Sequence, residues 1–113
     1  MNPHVIFENM DDSLRKLTAK NEEYELLCTE LAEAETEYEK KKNIVTLMLK
    51  GEHGSTVAQA ISKGDEKVAP LLFNRDVKRA VVTACVQAMR ILTTEIDVAR
   101  SKLAWARQEM GRT

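Results

Sequence analysis

The sequence predicts an all-α fold: a long, coiled-coil-like antiparallel helical hairpin with a short helix in its connector, assembling into a helical bundle. Three observations carry this. The 113 residues contain only 4 Gly and 2 Pro, whereas a β-sandwich or barrel needs a turn signal about every 8–12 residues. Those few breakers are confined to Asn2-Pro3, to the stretch from Gly51 to Pro70, and to Gly111. Between them, apolar residues recur in alternating steps of three and four, the 3.5-residue seam of helices packed side by side.

The first helix is expected over about 13–50. Asp11, Asp12 and Ser13 are N-cap candidates with acidic charge in the first turn, and Gly51 after Lys50 suits a C′ position. Its seam reads Leu14, Leu17, Asn21, Tyr24, Cys28, Leu31, Glu35, Tyr38, Lys42, Val45 and Leu49, of which eight of eleven are apolar or aromatic. The connector, 51–69, holds a short helix at 56–63, capped by Ser55 or Thr56 and ended by Gly64. Asp65 caps the return helix, expected over about 66–110. Pro70 implies a kink there or a true start near Ala69. The return seam is Val82, Cys85, Met89, Leu92, Ile96, Ala99, Leu103, Ala106 and Met110, all nine apolar. A short connector makes the two helices antiparallel neighbours in one domain, 1–113. Symmetric pairing about it sets Leu49 against Val68, Leu31 near Cys85, Tyr24 near Leu92 and Leu14 near Leu103.

One seam does not bury enough apolar surface to offset the ordering of a chain this long. The return helix carries a second apolar stripe, Val77, Val81, Ala84, Ala88, Ile91 and Val98, broken by Glu95. Ala80, Ala84 and Ala88 allow close approach of another helix, so Val77, Val81, Ala84, Ala88 and Ile91 are the expected interface of a homodimer or higher oligomer. The competing arrangement folds Val5-Ile6-Phe7-Met10 back as a third layer. Trp105 is expected to pack under Ile6, Phe7 and Met10, with an exposed partner anchor as its alternative.

Signals of chemistry are sparse. His4 and His53 have no companions at metal-ligand spacing, and the carboxylates of 22–39 read as a solvated helix face. Cys28 and Cys85 fall on the seams and read as small core residues. The Gly51–Thr56 loop lacks the Lys and the preceding strand of a P-loop. No catalytic residue, metal or cofactor is expected. With neither a signal-peptide pattern nor an apolar run long enough to span a bilayer, the expectation is a cytoplasmic protein with free thiols.

The net charge of −1 conceals a gradient. Residues 1–39 hold 3 basic and 11 acidic residues, 40–79 hold 9 and 4, and 80–113 hold 5 and 3. The connector end is therefore basic. Lys41, Lys42, Lys63, Arg75, Lys78 and Arg79 are the candidates there for contact with a partner protein or an anion, nucleic acid included.

The pattern Gly51…Thr56…Ile61…Lys63-Gly64-Asp65…Val68-Ala69…Arg75-Asp76…Gln87-Ala88…Leu103…Trp105…Glu109-Met110-Gly111 resembles small uncharacterised phage and prophage proteins. These are predicted helical hairpins often encoded beside recombination genes. The similarity spans roughly Asn21 to Gly111, is most specific at Gly64-Asp65 and Arg75-Asp76, and departs at Pro70. It implies a phage or mobile-element origin and transfers no activity. In that setting Gly64 and Asp65 act as stop and cap. Arg75 and Asp76 are candidates for ion pairs with Glu39 and with Lys41 or Lys42. The resulting expectation is a non-enzymatic accessory protein in the host cell that contacts a phage or host protein. It would serve recombination or replication, or inhibit a host defence system. The alternative is nucleic-acid or nucleotide binding at the basic tip.

Overall fold

In the computed structural model, which describes residues 2–111, the elements are helices α1 (Pro3–Leu49), α2 (Ser55–Lys63) and α3 (Ala69–Gly111). The all-α hairpin class is as the sequence predicts, but the element boundaries differ in instructive ways. α1 starts ten residues before the expected position 13. Asn2 is its cap: the side-chain oxygen accepts the His4 N–H at 3.0 Å, and Pro3 fills the first helical position, where its missing N–H costs nothing. Asp11 and Asp12 therefore lie inside the helix, paired one turn on with Arg15 at 2.6 Å and Lys16 at 3.1 Å. Val5–Met10 belongs to the same helix and forms no separate third layer.

At its other end α1 stops without a left-handed glycine, since no described glycine has a positive φ. The Leu49 carbonyl instead accepts the N–H groups of Glu52 and His53, at 3.1 and 3.0 Å. α2 begins from Gly54 in an extended conformation with no side-chain cap, so neither Ser55 nor Thr56 serves as one. Asp65 does not cap α3 itself but fastens the turn before it: its side chain accepts the Lys67 N–H at 2.8 Å and its carbonyl those of Val68 and Ala69, while the first helical bond of α3 runs from the Leu72 N–H to the Val68 carbonyl. α3 starts at Ala69, three residues after the earlier of the two expected starts. Pro70 then sits in the first turn, where an N–H has no helical acceptor anyway.

The chain divides into two compact units, one of Met1–Glu25 with Ala84–Thr113 and one of Leu26–Thr83. In the first, α1 and α3 form two layers. The buried residues of α3 here are Cys85, Ile96, Ala99 and Ala106, every one on the predicted seam. On α1 the inward face is rotated from the expected one. Ile6 is buried and Met10, Ser13, Leu17, Lys20 and Tyr24 are half-buried, while Leu14 and Asn21 are exposed. Ser13 donates to Glu95 at 3.3 Å, and the Cys85 thiol points at the Lys20 carbonyl at 3.6 Å.

In the second unit α2 adds a third layer. Ala34, Tyr38, Thr46, Ala58, Ser62 and Val68 are buried. Thr46 Oγ1 donates to Ser62 Oγ at 3.1 Å, and Ser62 Oγ donates in turn to the Gln59 carbonyl at 2.8 Å. Two hydroxyls are thus buried with their hydrogen bonds made, which removes the desolvation penalty of an unpaired group. Because α2 occupies the last turns of α1, α3 first meets α1 further back. Arg75 stacks on Tyr38, and Lys78 pairs with Glu30. The symmetric register fails for this reason, with Cys85 lying at Lys20 and not near Leu31.

Candidate functional site

The basic residues singled out in the sequence lie in the second unit, and most of them are already engaged. Tyr38, only 2 % exposed, has the Arg75 guanidinium 4.7 Å from its ring centre and the Lys42 ammonium at 5.6 Å. Both are cation–π contacts. Arg75 also pairs with its neighbour Asp76 at 3.0 Å, and Lys42 with Glu39 at 3.7 Å. The expected cross-hairpin pairs of Arg75 with Glu39 and of Asp76 with Lys41 or Lys42 are absent among the described residues. Arg75 instead crosses to α1 by stacking on Tyr38 and keeps Asp76 as its ion-pair partner on its own helix.

Lys78 reaches Glu30 at 3.2 Å and Arg79 reaches Glu35 at 3.1 Å. Among the described residues Lys41 and Lys63 form no ion pair, and Lys63 is exposed in the last turn of α2. Lys41 lines a hollow of about 280 Å³ with Ile44, Val45, Met48, Asp65 and Glu66. Lys67 lines it too, so two lysines and two carboxylates balance there. Phe73, 71 % exposed, is the one aromatic presented by the first turns of α3.

The apolar candidates form an uncovered stripe on α3. Val77 and Val81 in the second unit are exposed, as are Ala84 and Ile91 in the first, while Ala88 is half-buried. In the first unit the stripe continues past the predicted residues. Ile91 is 60 % exposed, Val98 46 % and Trp105 52 %. Trp105 thus does not pack under Ile6 and Met10, and Phe7 is exposed as well. Its indole N–H donates to Glu109 at 2.7 Å, and its ring lines a hollow with Thr94, Asp97, Val98, Ser101 and Lys102.

On the other side of Val98 a hollow of about 310 Å³ lies between α1 and α3, lined by Ile6, Asn9, Ser13, Glu95, Val98 and Lys102 among others. A third, of about 400 Å³, has Ala19, Ala88, Ile91 and Leu92 in its walls, with Lys16, Lys20 and Glu23 beside them. The Lys20 ammonium is raised above its ordinary value, chiefly by its hydrogen bond to Glu23 at 2.9 Å and then by that carboxylate's charge. Sequence reasoning took Val98 as the end of the stripe and did not carry it to Trp105. The spacing of seven residues from Ile91 to Val98 and again to Trp105 was the available signal.

Groups suited to covalent or metal chemistry are scattered. No cluster of three His, Cys, Asp or Glu that could hold a metal occurs among the described residues. His4 pairs with Glu8 one turn on, at 3.0 Å. Cys85 is buried and Cys28 half-buried, both as free thiols. No described helix is long and apolar enough to cross a membrane. Compared with family models, curated proteins and solved structures, the chain matches none of them.

Proposed function

We infer that the protein acts without catalysis, as a homo-oligomer that contacts a second, phage or host protein. The observation that carries this is the second stripe of α3. In the first unit one 3.5-residue seam of this helix is buried against α1, while Ile91, Val98 and Trp105 stand exposed seven residues apart along another. Scattered exposed apolar residues need no explanation, but a heptad-spaced row on a helix is the pattern that another helix covers. Oligomerisation through α3 supplies that cover and leaves the connector end of each copy for the second protein. The resemblance at Gly64-Asp65 and Arg75-Asp76 favours a recombination or replication accessory, or an inhibitor of a host defence system.

Light scattering tests the first half. The wild-type chain should exceed the monomer mass of 12.8 kDa. Ala84→Glu with Ala88→Glu should reduce the mass to that of a folded monomer. A wild-type monomer at high micromolar concentration overturns the reading. Capture from infected host cells, with mass spectrometry, identifies the second protein. Anion binding at the connector is the weaker reading, because Lys42, Arg75, Lys78 and Arg79 already hold carboxylate partners. DNA binding that falls with salt, and falls again in the Lys41→Ala/Lys63→Ala variant, would reverse that ranking.

A further inference from the structure

We propose that the surface around Val98 is a two-fold interface, in which α3 of one copy lies antiparallel to α3 of a second copy with Val98 at the axis. This rests on the oligomer reading above and specifies its partner face, orientation and centre for Ile91, Val98 and Trp105; Val77 and Val81 lie outside the contact, because α3 of the second copy is described only to Gly111.

The argument starts from the two residues that break the apolar stripe. Within the first unit the exposed row reads Ile91, Glu95, Val98, Lys102, Trp105, in steps of four, three, four and three. Its order is apolar, acidic, apolar, basic, apolar, and it is nearly symmetric about Val98. A two-fold axis there sets Val98 on Val98 of the second copy. It sets Ile91 on Trp105 of the second copy, and Trp105 on Ile91. Three apolar layers result, about 10.5 Å apart at ~1.5 Å per residue. Between them Glu95 faces Lys102 of the second copy, twice by symmetry. A parallel pairing would instead set Glu95 on Glu95 and Lys102 on Lys102, with like charges opposed.

The side chains are placed for these contacts. Lys102 forms no ion pair among the described residues and is exposed. Glu95 uses one carboxylate oxygen, Oε2, to accept from Ser13, which leaves Oε1 for an incoming ammonium. Val98 stands between two hollows, the one it shares with Ile6 and Asn9 and the one it shares with Trp105. An incoming ridge of side chains can settle into both. Beside Ile91 the hollow walled by Ala19, Ala88 and Leu92 offers room for the far edge of an incoming indole. An unrelated helix would need to carry this order reversed, whereas a second copy already does. A closed two-fold contact of this kind also terminates at the dimer and does not propagate into fibres.

Charge reversal measured by light scattering over a concentration series tests orientation and centre together. Glu95→Lys should raise the dimer dissociation constant by about 30-fold or more, because it opposes two pairs of like charges. Lys102→Glu should do the same. The double variant Glu95→Lys/Lys102→Glu should return to within about threefold of wild type, since the antiparallel pairs are restored with their signs exchanged. Circular dichroism confirms that each variant keeps its helix content. Single reversals that leave the mass unchanged, or a double variant that stays dissociated, overturn the proposal. If the mass then responds to Ala84→Glu/Ala88→Glu but not to Glu95→Lys, oligomerisation stands and only the Val98 axis falls. A monomeric wild-type chain removes both.

Discussion

The unit of Leu26–Thr83 and the unit formed by Met1–Glu25 with Ala84–Thr113 are built from the same two long helices, yet they bury different things. The Leu26–Thr83 unit has three layers, and the largest fully buried side chains among the described residues, Tyr38, Val68 and Ser62, are all in it. The other has two layers, and its buried residues are Ile6, Cys85, Ile96, Ala99 and Ala106. In that two-layer unit Ile91, Val98 and Trp105 stay exposed. A helix pair buries one stripe per helix, and a third element is needed for a second. In the unit of Leu26–Thr83 that element is α2, which packs on α1 at Thr46 while Val77 and Val81 of α3 stay exposed there. In the other no third element occurs among the described residues, and in the proposal above a second copy takes that place.

Substitutions in the two cores should separate the units by size of effect. Tyr38→Ala removes a buried ring together with two cation–π contacts, so the loss should be about 3–5 kcal/mol in urea unfolding at fixed protomer concentration. A loss under about 1 kcal/mol would mean that the three-layer unit is not the better packed of the two. Ile96→Ala in the two-layer unit should cost less, about 2 kcal/mol, because a site with one face near solvent collapses more easily. Equal losses at the two sites would remove the contrast.

The hydroxyl pair inside the three-layer unit sharpens the comparison further. Ser62→Ala leaves Thr46 without its acceptor in a buried place and should cost about 1–2 kcal/mol. Thr46→Val made together with Ser62→Ala should recover part of that loss, since neither side then holds an unpaired group. A double variant as unstable as the sum of the singles would show that the two hydroxyls act independently and do not fasten α2 to α1.

Much of this was legible in the sequence, and the failures share a cause. The α3 seam was readable at every position, because Cys85, Ile96, Ala99 and Ala106 all follow one uninterrupted period. The α1 seam was harder. Ser13 and Lys20 turn inward through a hydroxyl and a backbone carbonyl, groups that a count of apolar residues does not register. The helix start was missed because Asn2-Pro3 serves equally as a turn or as a cap with its first residue. The pairing register is not legible because the sequence marks α2 as a short connector helix and not as a layer packed on α1. Among the basic residues, sequence gave the cluster but not its ion pairs. Those depend on the register, so the pairs of Lys78 with Glu30 and Arg79 with Glu35 lie outside what symmetric pairing predicts.

The smallest expected effect tests the helix start itself. Asn2→Ala removes the acceptor of the His4 N–H and should cost about 0.5–1 kcal/mol, confined to the first turns of α1. Amide hydrogen exchange reads it best, because a fraying end opens locally without global unfolding. The amides of Val5 to Glu8 should exchange several-fold faster, while those of Tyr38 and Val68 in the three-layer unit keep their protection. Ile6 is buried only while this end of α1 holds, so its amide reports whether the two-layer core extends to the first turn. Unchanged exchange there would place the true start of the helix nearer Asp11, and would return Ile6 and the hollow it lines to solvent.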